Sequence, residues 1–276
     1  GFLAAPDLSA SLTLLLLSLF YVVNIALRLL LFCAASGTDA SFQRVREEEL
    51  AEIADAEFPI YTIVAPLLRE AHMVPKLVAA LKSLDYPAAK LDIKIVLEEG
   101  DMATMAAAKD LRLDSRFEIL TVPSGHPRTK PRACNYALRF ARGEYLVIYD
   151  AEDRPEPDQL KKAAISFRQA PPNVVCYQAR LNVYNACDNW LTRMFALEYA
   201  AWFDFLLPGL NRLRIPIPLG GTSNHFRTAA LRMAGGWDAF NVTEDADLGV
   251  RLSRRGYRVL PRSEEHTSEL QSHLNL

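Results

Sequence analysis

Between Ile60 and Asp150 the chain alternates short β-rich runs with longer helical patterns, and this alternation constrains its fold more than any other feature. IYTIVAP (Ile60 to Pro66) reads as a strand. MVPKLVAALKSLDYP follows as a helix that places Val74, Leu77, Val78, Leu81 and Leu84 on one face. Next come a strand LDIKIVL, a helical MATMAAAKDLRL, a strand FEILTVP, a helical PRACNYALRFARG closed by Gly143, and a strand EYLVIYD. Strands that alternate with helices of about 10 to 15 residues predict a largely parallel sheet with helices on both faces. Ligands of such sheets bind beyond the carboxyl ends of the strands, so the residues after VAP, VL and VIYD carry the first functional interest. The second half is less regular. QLKKAAISFRQAP reads as a helix, NVVCYQARLNVY as a strand, and DNWLTRMFALEYAAWFDFLLPGL as one long aromatic-rich helix before a turn-rich RIPIPLGGTSNHF. No repeat and no dividing linker interrupts the region.

Half of the 276 residues are hydrophobic and 23% are charged, which supports a packed core and excludes wholesale disorder. With 31 Lys plus Arg against 33 Asp plus Glu and no long basic run, the chain lacks the basic face that nucleic acid requires. Cys33, Cys134, Cys176 and Cys187 stand far apart, form no CxxC pair and read as reduced thiols. LSASLTLLLLSLFYVVNIAL (Leu8 to Leu27) contains no charged residue, and about 20 apolar residues are what a bilayer core requires. One transmembrane helix is expected over residues 8–34. A signal peptide is the rival, but its apolar region is shorter, about 7 to 15 residues, and follows a basic stretch that does not occur here. Arg28, Arg44 and Arg46 follow the run and no Lys or Arg precedes Leu8, which places the remainder in the cytoplasm by the positive-inside rule. Residues 35–57, with the polar SFQRVREEELAEIADAE, form a juxtamembrane connector. After Leu260 the text loses all periodicity. SEEHTSELQSHLNL resembles translated adapter sequence, so residues 262–276 are expected to be a non-native tail, with a natural C-terminal part missing beyond Pro261.

Four constellations carry chemistry. In EYLVIYDAEDRPEPDQL a strand ends on Asp150, Glu152 and Asp153, hard oxygen donors that suit Mg²⁺ or Mn²⁺ shared with substrate phosphates. The alternative is a solvated acidic turn set by Pro155 and Pro157. In GGWDAFNVTEDADLGVRLSRRGYRVL, Thr243 could cap a helix whose positive N-terminus Glu244 and Asp245 favour, or Asp245 could act as a general base toward a hydroxyl. VLEEGD places Glu98 and Glu99 at a strand's carboxyl end, where a carboxylate can accept from a nucleobase N–H or a ribose hydroxyl. TKPRACNYAL sets Lys130 and Arg132 at a helix start that could face an anion. Plain surface solvation is the alternative for the last two.

Taken in order, IYTIVAPLLREAHMVPKLVAALKSLDYP, VLEEGD, TKPRACNYAL, YDAEDRPEPDQL, QARLN, PLGGTSNHFRTAALRMAGGWD and VTEDADLGVRLSRRGYRV resemble the membrane-bound family 2 glycosyltransferases, in particular cellulose-synthase-like members. The resemblance runs from about Phe58 to Leu260. It implies a GT-A fold over residues 58–261, Rossmann-like, with a mostly parallel mixed sheet and flanking helices. Residues 58–155 would be the nucleotide-sugar-binding half and 156–261 an incomplete acceptor half. It further implies a nucleotide-sugar donor and inversion at the anomeric carbon; the expected reaction moves a hexose or N-acetylhexosamine from a UDP-sugar to a glycan or lipid-linked acceptor at the cytoplasmic face of the inner membrane.

By position, Asp150 and Glu152 would hold the metal and diphosphate, with Asp153 as a competitor, and Asp245 beside Glu244 would be the base. Glu98 or Glu99 would bind the nucleobase, Lys130 would lie near the diphosphate, and Gln178 and Arg180 would line the cleft. Two departures stand out: Glu-Glu replaces the commoner Asp-Asp at positions 98 and 99, and the QxxRW motif of processive members does not occur. The alternatives are a sugar transferase acting on a polyprenyl or dolichol phosphate, and an inactive membrane scaffold of the same fold. The aromatic stretch with Trp190, Phe195, Tyr199, Trp202, Phe203 and Phe205 reads either as core or as an amphipathic element lying on the membrane.

Overall fold

The fold is taken from a computed structural model that describes residues 6–36, 45–183 and 186–268. An apolar helix α1 (Pro6–Ser36) precedes the domain, and among the described residues it alone is long and apolar enough to cross a membrane. Residues 37–44 of the expected connector lie outside the described residues. The rest of the connector forms a short helix α2 (Glu47–Ala51) and a single 3-10 turn (Asp55–Glu57).

The alternation predicted from sequence then appears as β1 (Tyr61–Leu67), α3 (Val74–Lys82), β2 (Leu91–Glu98), α4 (Met102–Asp110), β3 (Phe117–Val122), α5 (Lys130–Leu138) and β4 (Tyr145–Ile148). The second half supplies β5 (Arg154–Pro155), α6 (Gln159–Gln169), β6 (Val174–Val183), α7 (Trp190–Ala201), α8 (Leu207–Arg212), β7 (Asn224–Arg227), α9 (Thr228–Met233), α10 (Glu244–Arg254) and β8 (Arg258–Ser268). One mixed sheet runs in the order β3-β2-β1-β4-β7-β6-β8-β5. β1 to β4 are mutually parallel where they pair, whereas β7 is antiparallel to both β4 and β6. Both faces are covered. Ile63, Ile93, Ile95 and Val147 pack with Val74, Leu77 and Leu81 of α3 and with Leu160 and Phe167 of α6. The alternate strand positions Val64, Val96, Leu146 and Ile148 pack with Ala133 and Ala137 of α5, Leu231 of α9 and Leu248 and Leu252 of α10. The period-two alternation of strand side chains thus builds two apolar layers from one set of strands.

One expectation needs amendment. The aromatic stretch is not one helix: a π-helical turn (Trp202–Leu206) separates α7 from α8, with the Leu207 N–H reaching back to the Trp202 carbonyl. Pro208 has no N–H to continue a regular ladder, which accounts for the break. The expected tail begins inside a strand, because β8 continues to Ser268 and pairs with β6 and β5. Arg262 itself is buried and donates to the Lys162 carbonyl at 2.7 Å and to the Ser166 hydroxyl. Residues 269–276 lie outside the described residues.

At the amino ends of the strands, Asp92 ties three segments together. Its buried carboxylate accepts from the Thr62 hydroxyl at 2.8 Å and from the Arg142 N–H at 3.0 Å, and lies 2.9 Å from the buried Lys94 ammonium. Removing Asp92 would leave Lys94 only Glu118 as a counter-charge and the Thr62 hydroxyl and Arg142 N–H without their acceptor; loss of one partner of a buried ion pair typically costs about 3 to 5 kcal/mol. Asp92→Ala is therefore expected to lower the thermal midpoint of unfolding by several degrees, read by circular dichroism in detergent, with Asp92→Asn intermediate.

Candidate active site

Three parallel strands and one helix bring charged residues to a single edge of the sheet. β1 ends at Leu67, β2 at Glu98 and β4 at Ile148 just before Asp150, while α5 begins at Lys130. Because β7 is antiparallel, it starts where β4 ends. The Ser223 N–H donates to the Ile148 carbonyl at 3.0 Å, and the Thr222 hydroxyl oxygen lies 3.2 Å from the same carbonyl. The PLGGTSN loop is thereby drawn to the carboxyl edge.

Lys130 joins the pieces. Its Nζ lies 2.5 Å from Asp150 Oδ1 and donates to the Gly221 carbonyl at 2.7 Å. Asp245 Oδ2 is 3.8 Å from the point where a Cβ on that glycine would sit. Asp150 and Asp245, distant in sequence, are thus linked through one ammonium and one glycine. Burial disfavours the Lys130 ammonium, but the charge of Asp150, with a further contribution from Asp245, holds its pKa above the ordinary lysine value.

Asp245 is the second residue of α10 and is 7% exposed. Thr243 makes no side-chain cap; its N–H and hydroxyl instead both donate to Asn241 Oδ1. Burial pushes the Asp245 carboxyl up to about 6; Glu244 and Asp150 push the same way, while Lys130 and a hydrogen bond from Trp237 oppose them. Trp237 Nε1 donates to Asp245 Oδ1 at 2.9 Å. Asn135 grips the Trp237 backbone twice, donating to its carbonyl at 2.6 Å and accepting its N–H at 2.9 Å. One helix, α5, therefore aligns Asp150 through Lys130 and Asp245 through Asn135 and Trp237.

A cavity of about 280 Å³ opens beside this linkage, lined by Leu68, Glu70, Glu98, Lys130, Asp150 and Glu152 among others. Glu70 had no sequence signal beyond its place just after β1. It is held there by a left-handed Arg69 (φ 60°), whose N–H donates to Asp101 Oδ2 at 2.6 Å, and by its own N–H to Thr104 Oγ1 at 3.2 Å. Burial, then the charges of Glu152 and Asp150, push the Glu70 carboxyl up to about 7. Glu152 is raised by burial first, then by Asp150 and Asp153. Glu98 Oε2 lies 3.4 Å from Arg132 and 3.6 Å from Arg128, while its buried Oε1 takes no hydrogen bond from the described residues.

Other expected site residues point elsewhere. Glu99 is exposed, accepts the Ser124 N–H at 2.7 Å and does not line the cavity. Asp153 is 1% exposed; its Oδ2 accepts the Asp150 N–H at 2.7 Å and the Thr222 hydroxyl, so it braces the turn instead of joining Asp150 and Glu152 on the cavity wall. Gln178 is a buried strut: Oε1 accepts the Gly220 N–H at 2.7 Å and Nε2 donates to the Thr222 carbonyl at 3.2 Å. Arg180 pairs with Asp204 of the π-helical turn at 2.9 Å. Among the described residues no group of three or more His, Cys, Asp or Glu is spaced to hold a metal unaided. Asp150 and Glu152 instead fit a hard divalent cation that completes its shell with substrate phosphate oxygens, as Mg²⁺ commonly does. The mutual repulsion of Glu70, Asp150 and Glu152 is what such a cation would relieve.

Comparison with known proteins agrees with this geometry. The chain is 28% identical over 231 residues to glucomannan 4-beta-mannosyltransferase 2 of Arabidopsis thaliana, covering 79% of the chain and 42% of that protein. It is 26% identical over 224 residues to a probable glucomannan 4-beta-mannosyltransferase 9 of rice, Oryza sativa subsp. japonica, covering 78% and 42%. The chain thus spans about four tenths of the length of these relatives. Among solved structures, the mannosyltransferase PcManGT of Pyrobaculum calidifontis, in complex with GDP-Man and Mn²⁺, superposes with a TM-score of 0.65 at 19% identity, over 92% of this chain and 68% of that one. TarS of S. aureus with UDP-GlcNAc superposes at 0.55 and 16% identity, over 77% and 59%. The family described as glycosyltransferase like family 2 matches residues 59–272, and the chain belongs to that family, with a GT-A fold.

Proposed function

We propose that the domain transfers a hexosyl unit, mannose in the first instance, from a nucleotide sugar to a hydroxyl of a growing polysaccharide, with inversion at the anomeric carbon. The observation that carries this reading is the Lys130 ammonium, paired with Asp150 and sensing the charge of Asp245, on the wall of a cavity that Glu98 and Glu152 also line. Asp245 takes the proton of the acceptor hydroxyl as that oxygen bonds to the anomeric carbon. The bond from that carbon to the diphosphate oxygen breaks, and its electron pair leaves with the nucleoside diphosphate. The Lys130 ammonium, on the cavity wall beside Asp150, would neutralise that growing charge, the role in which a fixed cation lowers a barrier most. Mg²⁺ or Mn²⁺ held by Asp150 and Glu152 would supply further charge neutralisation on the diphosphate. The buried Oε1 of Glu98, which takes no hydrogen bond from the described residues, is suited to accept from a nucleobase N–H, with Arg128 and Arg132 holding Oε2.

The named activity of the Arabidopsis and rice relatives and the GDP-Man of PcManGT favour GDP-mannose over the UDP-sugar expected from sequence, for which the UDP-GlcNAc of TarS is the precedent. In this reading α1 crosses the membrane and the catalytic domain lies on the cytoplasmic side, where nucleotide sugars are made. Release of GDP or UDP from each sugar nucleotide, with analysis of the product, separates the cases. A polymer formed from GDP-mannose is expected. Release only from UDP-sugars would overturn the donor, a polyprenyl-linked sugar as sole product would overturn the acceptor, and no release from any donor would overturn the enzyme.

Asp245→Asn is expected to abolish turnover while leaving donor binding intact, as measured by calorimetry, and to raise the thermal midpoint at pH 8. The second effect follows because a carboxyl raised from 3.8 to about 6 destabilises the folded state once it must ionise above that pH, whereas the amide never does. In the wild type kcat/KM should rise with pH through about 6 as Asp245 ionises. Trp237→Phe removes a hydrogen bond that favours the ionised form, so that limb should move to higher pH, by about one unit given the strength of hydrogen bonds to charged groups. EDTA should stop transfer, and Mn²⁺ or Mg²⁺ should restore it.

A further inference from the structure

The loop between α9 and α10 is tied down along its length. It starts at Trp237, whose backbone Asn135 grips and whose indole reaches forward to Asp245, so the loop leaves and returns beside one carboxylate. In the middle, the Ala239 carbonyl accepts from the Thr129 hydroxyl at 2.9 Å. Two side-chain turns fix the rest: Asp238 Oδ1 accepts the Phe240 N–H at 3.0 Å, and Asn241 Oδ1 accepts the Thr243 N–H at 3.0 Å. This loop nevertheless turns two large apolar side chains outward, with Phe240 81% exposed and Val242 94%. Between them, Asn241 Nδ2 donates to none of the described residues. Apolar side chains exposed singly mean little, but here two stand on one fixed loop that ends at the candidate base.

Position and chemistry identify what these groups meet. Thr129 lines the cavity assigned above to the nucleotide sugar, and Phe240 directly follows the Ala239 that Thr129 holds, with Cα atoms ~3.8 Å apart. Asp245 is not among the residues that line that cavity. An acceptor that gives its proton to Asp245 therefore comes within reach of the loop that ends on it. A pyranose ring of such an acceptor has two kinds of surface. Its faces carry C–H groups that neighbouring oxygens polarise positive, which suits the negative face of an aromatic ring. Its edge carries hydroxyls, which suit an amide donor such as Asn241 Nδ2. A lipid tail would use Phe240 and Val242 but leave that amide unmatched.

We propose that Phe240, flanked by Asn241 and Val242, is a platform on which a sugar ring of the acceptor glycan stacks while its hydroxyl meets Asp245. The proposal rests on the reading of Asp245 as the base and names the contact that selects a saccharide over a lipid phosphate as acceptor. Because Thr129 caps α5 and holds the platform, the helix that carries Lys130 also sets where the acceptor rests.

The test uses the whole chain in detergent with GDP and Mn²⁺ present and β-1,4-linked mannohexaose as probe, followed by saturation-transfer NMR. The wild type is expected to bind the oligosaccharide, with the strongest transfer to C–H protons of a ring face. Phe240→Ala should weaken that affinity by about tenfold, the size of one aromatic contact, and Phe240→Tyr should keep it. The affinity for GDP, read by calorimetry, should be the same in all three. Equal mannohexaose affinity in the wild type and Phe240→Ala would overturn the proposal. So would a wild type that binds polyprenyl phosphate but no mannohexaose, or a Phe240→Ala chain that loses GDP as well, since the side chain would then serve the donor site or the fold. Transfer from GDP-mannose separates the two readings. Polymer formed with an acceptor KM that Phe240→Ala leaves unmoved overturns the platform alone, whereas mannohexaose held through Phe240 with no nucleotide released from any donor overturns the enzymatic reading and leaves the platform standing.

Discussion

Everything at the candidate site hangs on one partly exposed ammonium, that of Lys130. Without Lys130, the carboxylates of Asp150, Glu152 and Glu70 on the cavity wall, and Asp245 nearby, would lose their shared counter-charge, and burial already pushes Glu70, Glu152 and Asp245 toward the neutral form. The lysine is long enough to span from the first turn of α5 to both Asp150 and the Gly221 carbonyl. Pro131 right after it suits a helix start, where a missing N–H costs nothing. The same helix carries Asn135, which sets Trp237 and through it Asp245. A single rigid element thus holds two acidic motifs in register, the kind of support that a reacting geometry demands.

The topology makes this arrangement reachable. In an all-parallel sheet each connection after β4 would return to the far edge before adding another strand. Reversing β7 instead places the start of that strand, and the glycine-rich loop before it, directly against the end of β4. Gly221 takes part through its backbone, whose carbonyl accepts from Lys130. The buried Asp153 and Gln178 act as scaffolding for that loop, Asp153 through the Thr222 hydroxyl and Gln178 through the Gly220 N–H and the Thr222 carbonyl.

Much of this was legible in the sequence, because periodicity reports burial. The alternation from Tyr61 to Ile148 gave the parallel half of the sheet, and the rule that ligands gather at carboxyl ends pointed to Glu98 and Asp150. What periodicity cannot report is the direction of a short strand: the four residues of β7 carry no pattern that distinguishes parallel from antiparallel. Nor can it say which of two adjacent acids faces a cavity. Glu98 rather than Glu99, and Glu152 rather than Asp153, line the wall because partners remote in sequence, Ser124 and Thr222, hold the other member of each pair. Glu70 was missed for a related reason, since its placement depends on a left-handed Arg69 pinned by Asp101 from the next helix. The π-helical turn was invisible because its cause, contact with α1 and the missing N–H of Pro208, is partly tertiary.

The coupling of the two acidic motifs through Lys130 can be measured without any turnover. Isotope-edited infrared titration of the Asp245 carboxyl, in the wild type and in Lys130→Met, reads the charge that the lysine places on it. The wild-type value should lie near 6, and loss of the ammonium should raise it clearly, because Lys130 favours the ionised carboxylate. An Asp245 pKa that does not move when Lys130 is neutralised would mean that the two motifs do not share one electrostatic site, and the account would fail.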